Sequence, residues 1–494
     1  MKELTITLQT DVKIPLYEQI YEAIRQDILH GRIPKGEKLP STRFQAQYLQ
    51  VSRSTVELAY EQLLSEGYIY SEPYRGYYAC DVQDLYQLAD LQKDQMSHAH
   101  AVKERNIRSA VVIDGEKAFE ETGKTGSETA KKQYNIDFSP NGIELSHFPF
   151  NALSKIMKNL ILDQGESILV SSASFGDINL RRVICDYLYR SRQVNCVPEQ
   201  IVLGAGNEYL QILLSQILGT KSALAIESPT YMQAYRTFSN LGYEIKEIDV
   251  DKEGMNIWQL EASGAEIAYV MPSHQFPLGT VMTMKRRLEI LNWASKAPDR
   301  YIIEDDYDSE FRYKGKPIPA LQGMDKAGRV IYLGTFSKSI APSVRISYMV
   351  LPLELIKKYK ERCGFYSCTV PTLMQQSVYQ FMREGHFEKN LNRMRGIYKT
   401  KHDFMQNELR KCPWVIQIMG GNAGLHFLVK VNSAKSEKEI IESCKAAGIR
   451  VYGISEYYIG KKSGFAKPML VLGYGGLTEE QMRSGLEELS KMMK

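Results

Sequence analysis

The most chemically suggestive stretch of the sequence places one lysine among hydroxyl groups, with an arginine seven residues later, in TFSKSIAPSVR. Lys338 follows an apolar, β-branched run, and a buried lysine can form a Schiff base with an aldehyde cofactor. Arg345 suits a phosphate group because its guanidinium is always charged and fork-shaped, and Thr335 and Ser337 add hydroxyl donors. A Ser-Lys pair alone is more often a surface feature, so this interpretation depends on other segments.

A second segment, IIEDDYDSEFRY, leads from a predicted buried strand into several carboxylates and a tyrosine. Because residues i and i+2 of a strand share a face, Asp305 and Tyr307 should point the same way. A carboxylate beside a protonated pyridine nitrogen keeps that ring an electron sink, and a phenol can bond the ring's oxygen. Asp306 and Asp308 should face the other side, in structural or solvated positions, while Glu304 stays ambiguous.

Three further strand ends carry groups that suit a flat, phosphorylated ring. In LGAGNEYLQILL, Gly206 and Asn207 would open a helix whose backbone N–H groups can bind phosphate. In ESPTY, Tyr231 is able to stack on a planar ring. In MPSHQFPLGT, His274 could reach the ring's oxygen side, although a packed or capping histidine is about as common there.

These residues can meet only if a sheet brings several strand ends together. From about residue 134, helical patterns alternate with short apolar runs such as EQIVLGA, SALAIESP, AEIAYVMPS, RYIIEDDYD, RVIYLGTFS and ISYMVLP. Strands separated by helices predict a largely parallel α/β sheet, which binds ligands at the carboxyl ends of its strands. We therefore predict one large α/β domain over residues 134–494.

The N-terminal residues follow a different pattern. Apolar spacing over residues 14–29 predicts a first helix, Ser41 is a good cap for a second, and a third begins at Ser52 or Ser54. Two tyrosine-containing runs around a Pro/Gly turn then predict a β-hairpin. Three short helices and a hairpin predict a winged helix-turn-helix domain over residues 13–80.

The charge of this N-terminal module is distributed unevenly. Between Arg32 and Arg53 the sequence has five cations and one carboxylate, and phosphate contacts need such positive charge together with exposed helix N-termini. Base edges would be read by the first turn of the third helix, which contains Ser52, Arg53, Ser54 and Thr55. For a serine at such a position taken alone, helix capping is the commoner role.

The motifs LPSTR and VSRSTV and the final glycine of the hairpin occur in the order of a GntR-type winged helix, which the whole module resembles. That resemblance implies that Arg43 and Arg53 touch double-stranded operator DNA and that Gly76 shapes the wing. The segments of the large domain together resemble fold-type I aminotransferases, which depend on pyridoxal phosphate. With the winged helix in front, the chain resembles the MocR/GabR group of bacterial transcription regulators.

The resemblance implies a role for each candidate residue of the large domain. Lys338 would be the catalytic residue that carries the cofactor as a Schiff base, Asp305 would pair with the pyridine nitrogen, and Tyr307 with the ring hydroxyl. The other residues it implies would stack on the ring or hold its phosphate: Tyr231, Arg345 and the Gly206–Asn207 turn. The resemblance also implies a head-to-tail homodimer.

Two positions depart from the family's pattern for holding a substrate carboxylate, a group that arginine binds in a bidentate way. Gln233 stands where the GABA-sensing regulator carries arginine, and Glu456 stands where the family often has arginine before an aromatic pair. The sequence therefore predicts a regulator that senses an amine, an amino acid or pyridoxal phosphate through Schiff-base chemistry at Lys338. Two alternatives stay open: a working aminotransferase that carries a DNA-binding module, and a cofactor-free scaffold that only dimerises the DNA-binding arms.

The composition of the chain says more about the cellular compartment of the protein than about its activity. Of the 494 residues, 44% are hydrophobic and 24% charged, which is typical of soluble globular proteins. No apolar run is long enough to span a bilayer, no secretory segment is recognisable, and the seven cysteines form no C-x-x-C pair. We expect a cytoplasmic protein without membrane contact or a metal site. Residues 81–133, which are charged and aperiodic, are predicted to be a flexible linker.

Overall fold

The computed structural model describes residues 6, 8–9, 14–72, 75–82, 134–313, 318–460 and 467–493. The predicted linker, 81–133, therefore lies outside the described residues except for residues 81–82. The domain limits given above, 13–80 and 134–494, remain predictions.

The N-terminal module is a winged helix-turn-helix, as the sequence predicts. Its elements are α1 (Leu16–Leu29), α2 (Thr42–Tyr48), α3 (Arg53–Glu66), β1 (Ile69–Glu72) and β2 (Gly76–Ala79). Ser41 and Ser52 cap α2 and α3, because each hydroxyl accepts a hydrogen bond, 3.2 Å long, from a backbone N–H of the first turn. Gly67 ends α3 with a φ of 76°, a left-handed conformation that glycine adopts without strain.

An eight-stranded sheet forms the centre of the large domain. Its strands lie in the order β4 (Ile201–Gly204), β11 (Ser347–Val350), β10 (Val330–Thr335), β9 (Tyr301–Asp306), β8 (Ile267–Val270), β5 (Leu224–Ser228), β6 (Ile245–Asp251) and β7 (Gly254–Met255). The neighbours from β10 to β6 pair in parallel, whereas β11 and β7 pair antiparallel. The prediction of a largely parallel sheet is thus confirmed.

Helices cover both faces of this sheet, because parallel strands joined by helical crossovers must be buried on both sides. On β9, Ile302 and Ile303 point to opposite faces and pack in two separate apolar clusters. The helices of this part are α4 (Phe150–Gln164), α5 (Ile178–Arg192), α6 (Asn207–Leu218), α7 (Met232–Asn240), α8 (Ile257–Ala262), α9 (Met284–Ser295), α10 (Leu321–Met324), α11 (Leu353–Arg362), α12 (Thr372–Arg383) and α13 (His386–Lys411).

A smaller C-terminal lobe follows α13. Its four-stranded antiparallel sheet has the order β12 (Val415–Met419), β13 (His426–Val431), β16 (Met469–Gly473) and β15 (Tyr452–Gly453), and its helices are α14 (Glu437–Ala446) and α15 (Glu479–Met492). A short strand pair, β3 (Ile136–Asp137) with β14 (Ile449–Arg450), ties the lobe to the start of the large domain. Within the described ranges, no helix is both long and apolar enough to cross a membrane.

Candidate active site and DNA-contact surface

A cavity of about 350 Å³ opens where β4, β9 and β10 end. Of the ten residues that the sequence predicts for the cofactor, the cavity brings nine together: Gly206, Asn207, Tyr231, Asp305, Tyr307, Thr335, Ser337, Lys338 and Arg345. The tenth, His274, does not line the cavity but lies behind one of its walls. Residues up to 139 positions apart in sequence, from Gly206 to Arg345, thus converge as the parallel-sheet prediction requires.

Lys338 is the central basic group of this cavity. Its Nζ atom is buried, has no hydrogen-bond partner among the described residues, and lies 4.7 Å from the centre of the Tyr307 ring. Burial lowers the pKa of Lys338, and the carboxylates of Asp308, Glu310 and Asp305 oppose that effect. A lysine with a lowered pKa is more often an uncharged amine, which is the form that attacks an aldehyde.

Asp305 lines the cavity near the end of strand β9. It accepts hydrogen bonds from Asn207 Nδ2 at 3.4 Å and from the Tyr269 hydroxyl. Burial raises the pKa of Asp305 to about 7, although the bond from Tyr269 opposes the shift. A buried carboxylate of this kind gains stability when a cationic N–H is placed beside it.

Replacing Asp305 with asparagine should change stability and cofactor retention in opposite directions. Folding raises the pKa of Asp305 from 3.8 to about 7, so its contribution to stability is complete below pH 3.8 and is lost as pH rises through about 7. The neutral amide cannot ionise, so the melting temperature of the cofactor-free variant should exceed that of the wild type at pH 8 and approach it at pH 4. Pyridoxal phosphate should dissociate faster from the variant. Equal melting temperatures at pH 8 would contradict this assignment.

The end of the cavity that the sequence predicts to hold a phosphate is formed by Arg345 and the turn before α6. Arg345 adopts a φ of 50°, a left-handed conformation that is unusual for a residue other than glycine and that often marks functional sites. Its Nη2 atom donates to the Ala205 carbonyl at 3.0 Å and lies 3.3 Å from Glu208 Oε2. Gly206 has a φ of 111°, and a Cβ atom there would collide with the Arg345 guanidinium. The guanidinium is therefore held close against the backbone N–H groups that open α6.

Hydroxyl groups complete this end of the cavity. Ser347 Oγ donates to Thr335 Oγ1 at 3.0 Å, and Thr335 Oγ1 in turn donates to Ser337 Oγ at 2.9 Å. Such a chain leaves donors that can be redirected towards an anion. The carboxylate of Glu208 lies 3.3 Å from Arg345 Nη2 and offsets part of the charge of that arginine.

Behind the opposite wall, Tyr307, His274 and Asp308 form a buried chain of hydrogen bonds. The Tyr307 hydroxyl lies 2.9 Å from His274 Nδ1, which also lies 3.0 Å from Asp308 Oδ2. Burial raises the pKa of Asp308, but the adjacent His274 and the charge of Lys338 outweigh it, so this pKa lies below its usual value. His274 thus contacts Tyr307 and Asp308 and does not line the cavity.

The two remaining aspartates of this segment, Asp306 at the end of β9 and Asp308 just after it, are both buried. Asp306 has a structural role, because it pairs with the buried Arg192 at 2.8 Å and accepts from the Tyr332 hydroxyl at 2.6 Å. Asp308 is 1% exposed and bound to His274, so of the two positions predicted for it, structural or solvated, the structural one describes it. No local pattern reveals this contact, since the two partners are 34 residues apart.

Several further residues line the cavity without having been assigned to it from the sequence: Asn141, Ile143, Glu208, Met271, Phe276, Pro342 and Ser347. Asn141 precedes a glycine, and that Asn-Gly pair is a turn signal that could have marked it. Gln233 also lines the cavity and accepts a hydrogen bond from the Tyr231 hydroxyl. Glu456 lies outside the lining, where it accepts from the Gly453 backbone N–H at 3.4 Å.

The residues predicted to contact DNA cluster at the start of α3 and on α2. Ser52 Oγ lies 2.8 Å from Ser54 Oγ and 2.7 Å from Thr55 Oγ1, so all three hydroxyls share the first turn of α3. Arg53 is 65% exposed and pairs with Glu57 at 2.7 Å, while Arg43 is exposed on α2. This arrangement places exposed cations beside a helix N-terminus, which suits a phosphate backbone.

The wing and the other basic residues complete this surface. Gly76 begins β2 with a φ of 110°, which favours glycine at this turn. Some of the five cations between Arg32 and Arg53 form ion pairs with carboxylates that lie outside that stretch. Arg32 pairs with Asp27 at 2.5 Å, and Lys35 pairs with Asp81 at 2.6 Å. Within the described part of the chain, Arg43 makes no ion pair, so its charge is uncompensated.

Two family profiles match the chain. The family described as bacterial regulatory proteins, gntR family, matches residues 16–78, and the family described as aminotransferase class I and II matches residues 142–489. Together they cover the winged helix and most of the large domain.

Relatives of similar length carry the same combination. The HTH-type transcriptional regulator YdeL of Bacillus subtilis (strain 168), itself described as uncharacterized, is 38% identical over 496 residues, and the match covers 100% of both chains. The probable rhizopine catabolism regulatory protein MocR of Rhizobium meliloti is 29% identical, with 98% of this chain and 95% of that one covered. The pyridoxine biosynthesis transcriptional regulator PdxR of Corynebacterium glutamicum is 27% identical over 99% of this chain and 98% of its own.

Solved structures are similar to the large domain. An archaeal alanine:glyoxylate aminotransferase is 26% identical with a TM-score of 0.65, and the match covers 72% of this chain and 90% of that chain. A kynurenine aminotransferase from Pyrococcus horikoshii, solved in complex with PMP, has a TM-score of 0.66 at 24% identity and covers 73% of this chain and 91% of its own. The predicted fold, a winged helix followed by a large α/β aminotransferase domain, is confirmed.

Proposed function

This chain belongs to the bacterial HTH-type transcriptional regulators that join a GntR-type winged helix to an aminotransferase class I and II domain, and we propose from that premise that it controls DNA binding through a cofactor site. The winged helix binds double-stranded operator DNA through α3 and Arg43. The large domain binds pyridoxal phosphate and senses a small amine, an amino acid or the cofactor itself at Lys338.

The residues present fit pyridoxal phosphate on structural grounds. Lys338 Nζ and Asn207 Oδ1 are buried polar atoms without hydrogen-bond partners in the described part of the chain, so each has capacity for a ligand. The bound cofactor supplies an aldehyde that forms a Schiff base with primary amines, and a ring that accepts electrons. Asp305 would hold a proton on the ring nitrogen, and Tyr307, positioned by His274, would donate to the ring oxygen.

The remaining cofactor residues would orient the ring and hold its phosphate. Tyr231 lines the cavity and packs edge-on against Phe276 with ring centres 5.9 Å apart, which restricts the orientation of its ring. Arg345, the N–H groups that open α6 and the Thr335 and Ser337 hydroxyls would hold the phosphate. The observation that carries the proposal is the orphaned Lys338 amine in a cavity lined by nine independently predicted residues.

The composition of the cavity favours an effector without a carboxylate. Among the described residues, the cations that line it are Lys338 and Arg345, and the proposed cofactor engages both. Gln233, a neutral amide, stands beside Tyr231 at the position where a second arginine would bind a carboxylate. A primary amine, or the cofactor alone, is therefore a better match than an α-amino acid.

Replacing Gln233 with arginine should create the missing carboxylate anchor. Hydrogen bonds to charged groups contribute about 1.5–3 kcal/mol, so the affinity for an α-amino acid relative to the corresponding amine should rise about tenfold or more. Titration of the cofactor-loaded protein with alanine and with ethylamine, followed by visible absorbance, measures that ratio. Gln216→Arg, which adds the same charge on the exposed side of α6, should leave the ratio unchanged. An unchanged ratio in Gln233→Arg would refute this account of effector selection.

The same proposal includes a head-to-tail homodimer in the cytoplasm. Five strongly exposed apolar side chains support the dimer, because burying them against a second copy of the chain would remove their apolar surface from water. Its members lie on α4 and just after it: Phe150, Ile161, Leu162, Leu169 and Val170, with exposed fractions from 51% to 82%.

Purified protein loaded with pyridoxal phosphate tests the proposed function. Borohydride reduction followed by peptide mass spectrometry should place the cofactor on Lys338, and added amines should shift the visible absorbance. Assays with amino donors and 2-oxo acids distinguish the alternative of a working aminotransferase. Sustained turnover without any effect on DNA affinity would favour that enzyme, and absence of cofactor binding would favour a cofactor-free scaffold.

A further inference from the structure

A short segment, Tyr307–Arg312, joins the cofactor site to the DNA-reading helix. It begins with Tyr307 in the cavity wall and ends at Arg312, whose Nη2 atom donates to Ser65 Oγ at 2.6 Å. Ser65 lies in the last turn of α3, the helix whose first turn is proposed to read DNA. Only four residues thus separate Tyr307, which lines the cavity, from Arg312, which contacts the recognition helix.

Hydrogen bonds and side-chain packing hold the segment in place along its length, so a displacement at Tyr307 can be transmitted to Arg312. Phe311 N–H donates to the Asp308 carbonyl at 3.0 Å, and the Phe311 carbonyl accepts from Gly424 N–H at 2.9 Å. Phe311 is fully buried, and its ring packs edge-on against Tyr398 of α13, 4.9 Å away. Packed cores of this kind move between discrete arrangements instead of deforming gradually.

The segment also connects to the C-terminal lobe and to α13. Arg312 forms a backbone bridge with Ala423, in the connection between β12 and β13. The carbonyl of Glu310 accepts from Arg395 Nε at 2.8 Å, and its carboxyl group accepts from the Tyr187 hydroxyl at 3.2 Å. The segment thus contacts the lobe and α13 as well as the cavity and the winged helix.

The winged helix meets the large domain around this point. Met284 and Leu288 of α9 belong to the same apolar cluster as the core of the winged helix. A Cβ atom added to Gly67 would lie 2.7 Å from Thr283 Cβ, so the end of α3 is in close contact with the start of α9. The contact at Arg312 is thus the polar part of a packed interface between the two domains.

We propose that Arg312 is a positioning residue that fixes the C-terminal end of α3 to the large domain, and that Tyr307–Arg312 transmits changes at the cofactor site to the DNA-reading helix. This inference rests on the proposed function, because it requires that the cofactor site controls DNA affinity. It adds the specific route by which that control reaches α3.

Arg312→Ala in the full-length, cofactor-loaded protein tests the route. Methoxyamine serves as the probe, because it is an alkoxyamine whose NH2 group condenses with the cofactor aldehyde to an oxime in competition with lysine, and it has no carboxylate. The dissociation constant of a duplex selected by the protein from a random pool is measured with and without methoxyamine, and absorbance is followed in the same samples. In Arg312→Ala, methoxyamine should still change the absorbance of the cofactor. The ratio of the DNA dissociation constants with and without methoxyamine should come about 2- to 30-fold closer to one than in the wild type.

Ser65→Ala and the double variant complete a cycle. If the two residues act through their mutual contact, the double variant should reduce the ratio no further than either single variant. Arg190→Ala, an exposed arginine of α5, is the matched control and should keep the wild-type ratio. A wild-type ratio retained in both Arg312→Ala and Ser65→Ala would overturn this inference alone. A ratio of one in the wild type would overturn it together with the proposed function.

Discussion

Lys338→Ala should abolish both covalent retention of pyridoxal phosphate and the dependence of DNA affinity on amines. The variant lacks the only buried lysine amine that lines the described cavity, so no protein group remains to exchange with an incoming amine. Effectors commonly change the affinity of a protein for a second ligand by about 5- to 150-fold. We expect the ratio of DNA affinities with and without amine to differ from one in the wild type and to equal one in the variant. Gel filtration followed by absorbance measures retention, and fluorescence anisotropy with labelled duplex measures DNA affinity.

A matched control separates this effect from a general loss of lysine charge. Lys296→Ala removes a lysine whose side chain is 52% exposed and pairs with Glu261 on the surface. Since exposed pairs contribute little to stability, this variant should behave as the wild type. If Lys338→Ala still bound DNA in an amine-dependent way, Schiff-base chemistry at this residue would not be the sensing step.

The second large effect is expected on DNA affinity, when the arginines at the start of α3 and on α2 are replaced with alanine. Arg53→Ala should weaken binding to the selected duplex by about 1–3 kcal/mol and relax specificity, because the first turn of a recognition helix reads base edges. Arg43→Ala, on the helix that crosses the backbone, should weaken all duplexes alike and lower the slope of log affinity against log salt by about one. Binding measured across salt concentrations with selected and scrambled duplexes separates the two.

Arg53 and Arg43 also differ in their ion pairs, which bears on how each would bind DNA. Arg53 must leave its pair with Glu57 to reach DNA, but an exposed pair of this spacing is worth only about 0.3–0.5 kcal/mol. Arg43 has no such pair in the described ranges, so its whole charge is available. Arg190→Ala again serves as the control on the large domain. Equal, purely salt-dependent losses in Arg43→Ala and Arg53→Ala would contradict base reading by Arg53.

The fold and much of the site follow from local sequence patterns. The strands of the central sheet are short β-branched runs between helical segments, and parallel strands must end at the same edge. Lys338 follows the end of one such strand, Asp305 lies near the end of another, and Arg345 lies just before β11, whose start pairs with the end of β10. Their convergence could therefore be predicted from the sequence. Ser41 and Ser52 are visible as helix caps for the same local reason.

The remaining contacts could not be predicted because they depend on which strands become neighbours. Tyr269 reaches Asp305 only because β8 lies beside β9, and nothing near either residue encodes that pairing. The contact between Arg312 and Ser65 joins residues 247 positions apart and needs the relative placement of two domains. Such contacts arise from tertiary packing and leave no periodic signal in the sequence.

The most direct test of the central claim is the DNA affinity of the cofactor-loaded wild type as an amine is titrated into it. Absorbance and anisotropy are recorded in the same cuvette, so that chemistry at Lys338 and release or binding of DNA are compared at each amine concentration. We predict that the two curves share one midpoint and that both are absent in Lys338→Ala. An absorbance curve that saturates while DNA affinity stays constant would contradict the claim that this site regulates DNA binding.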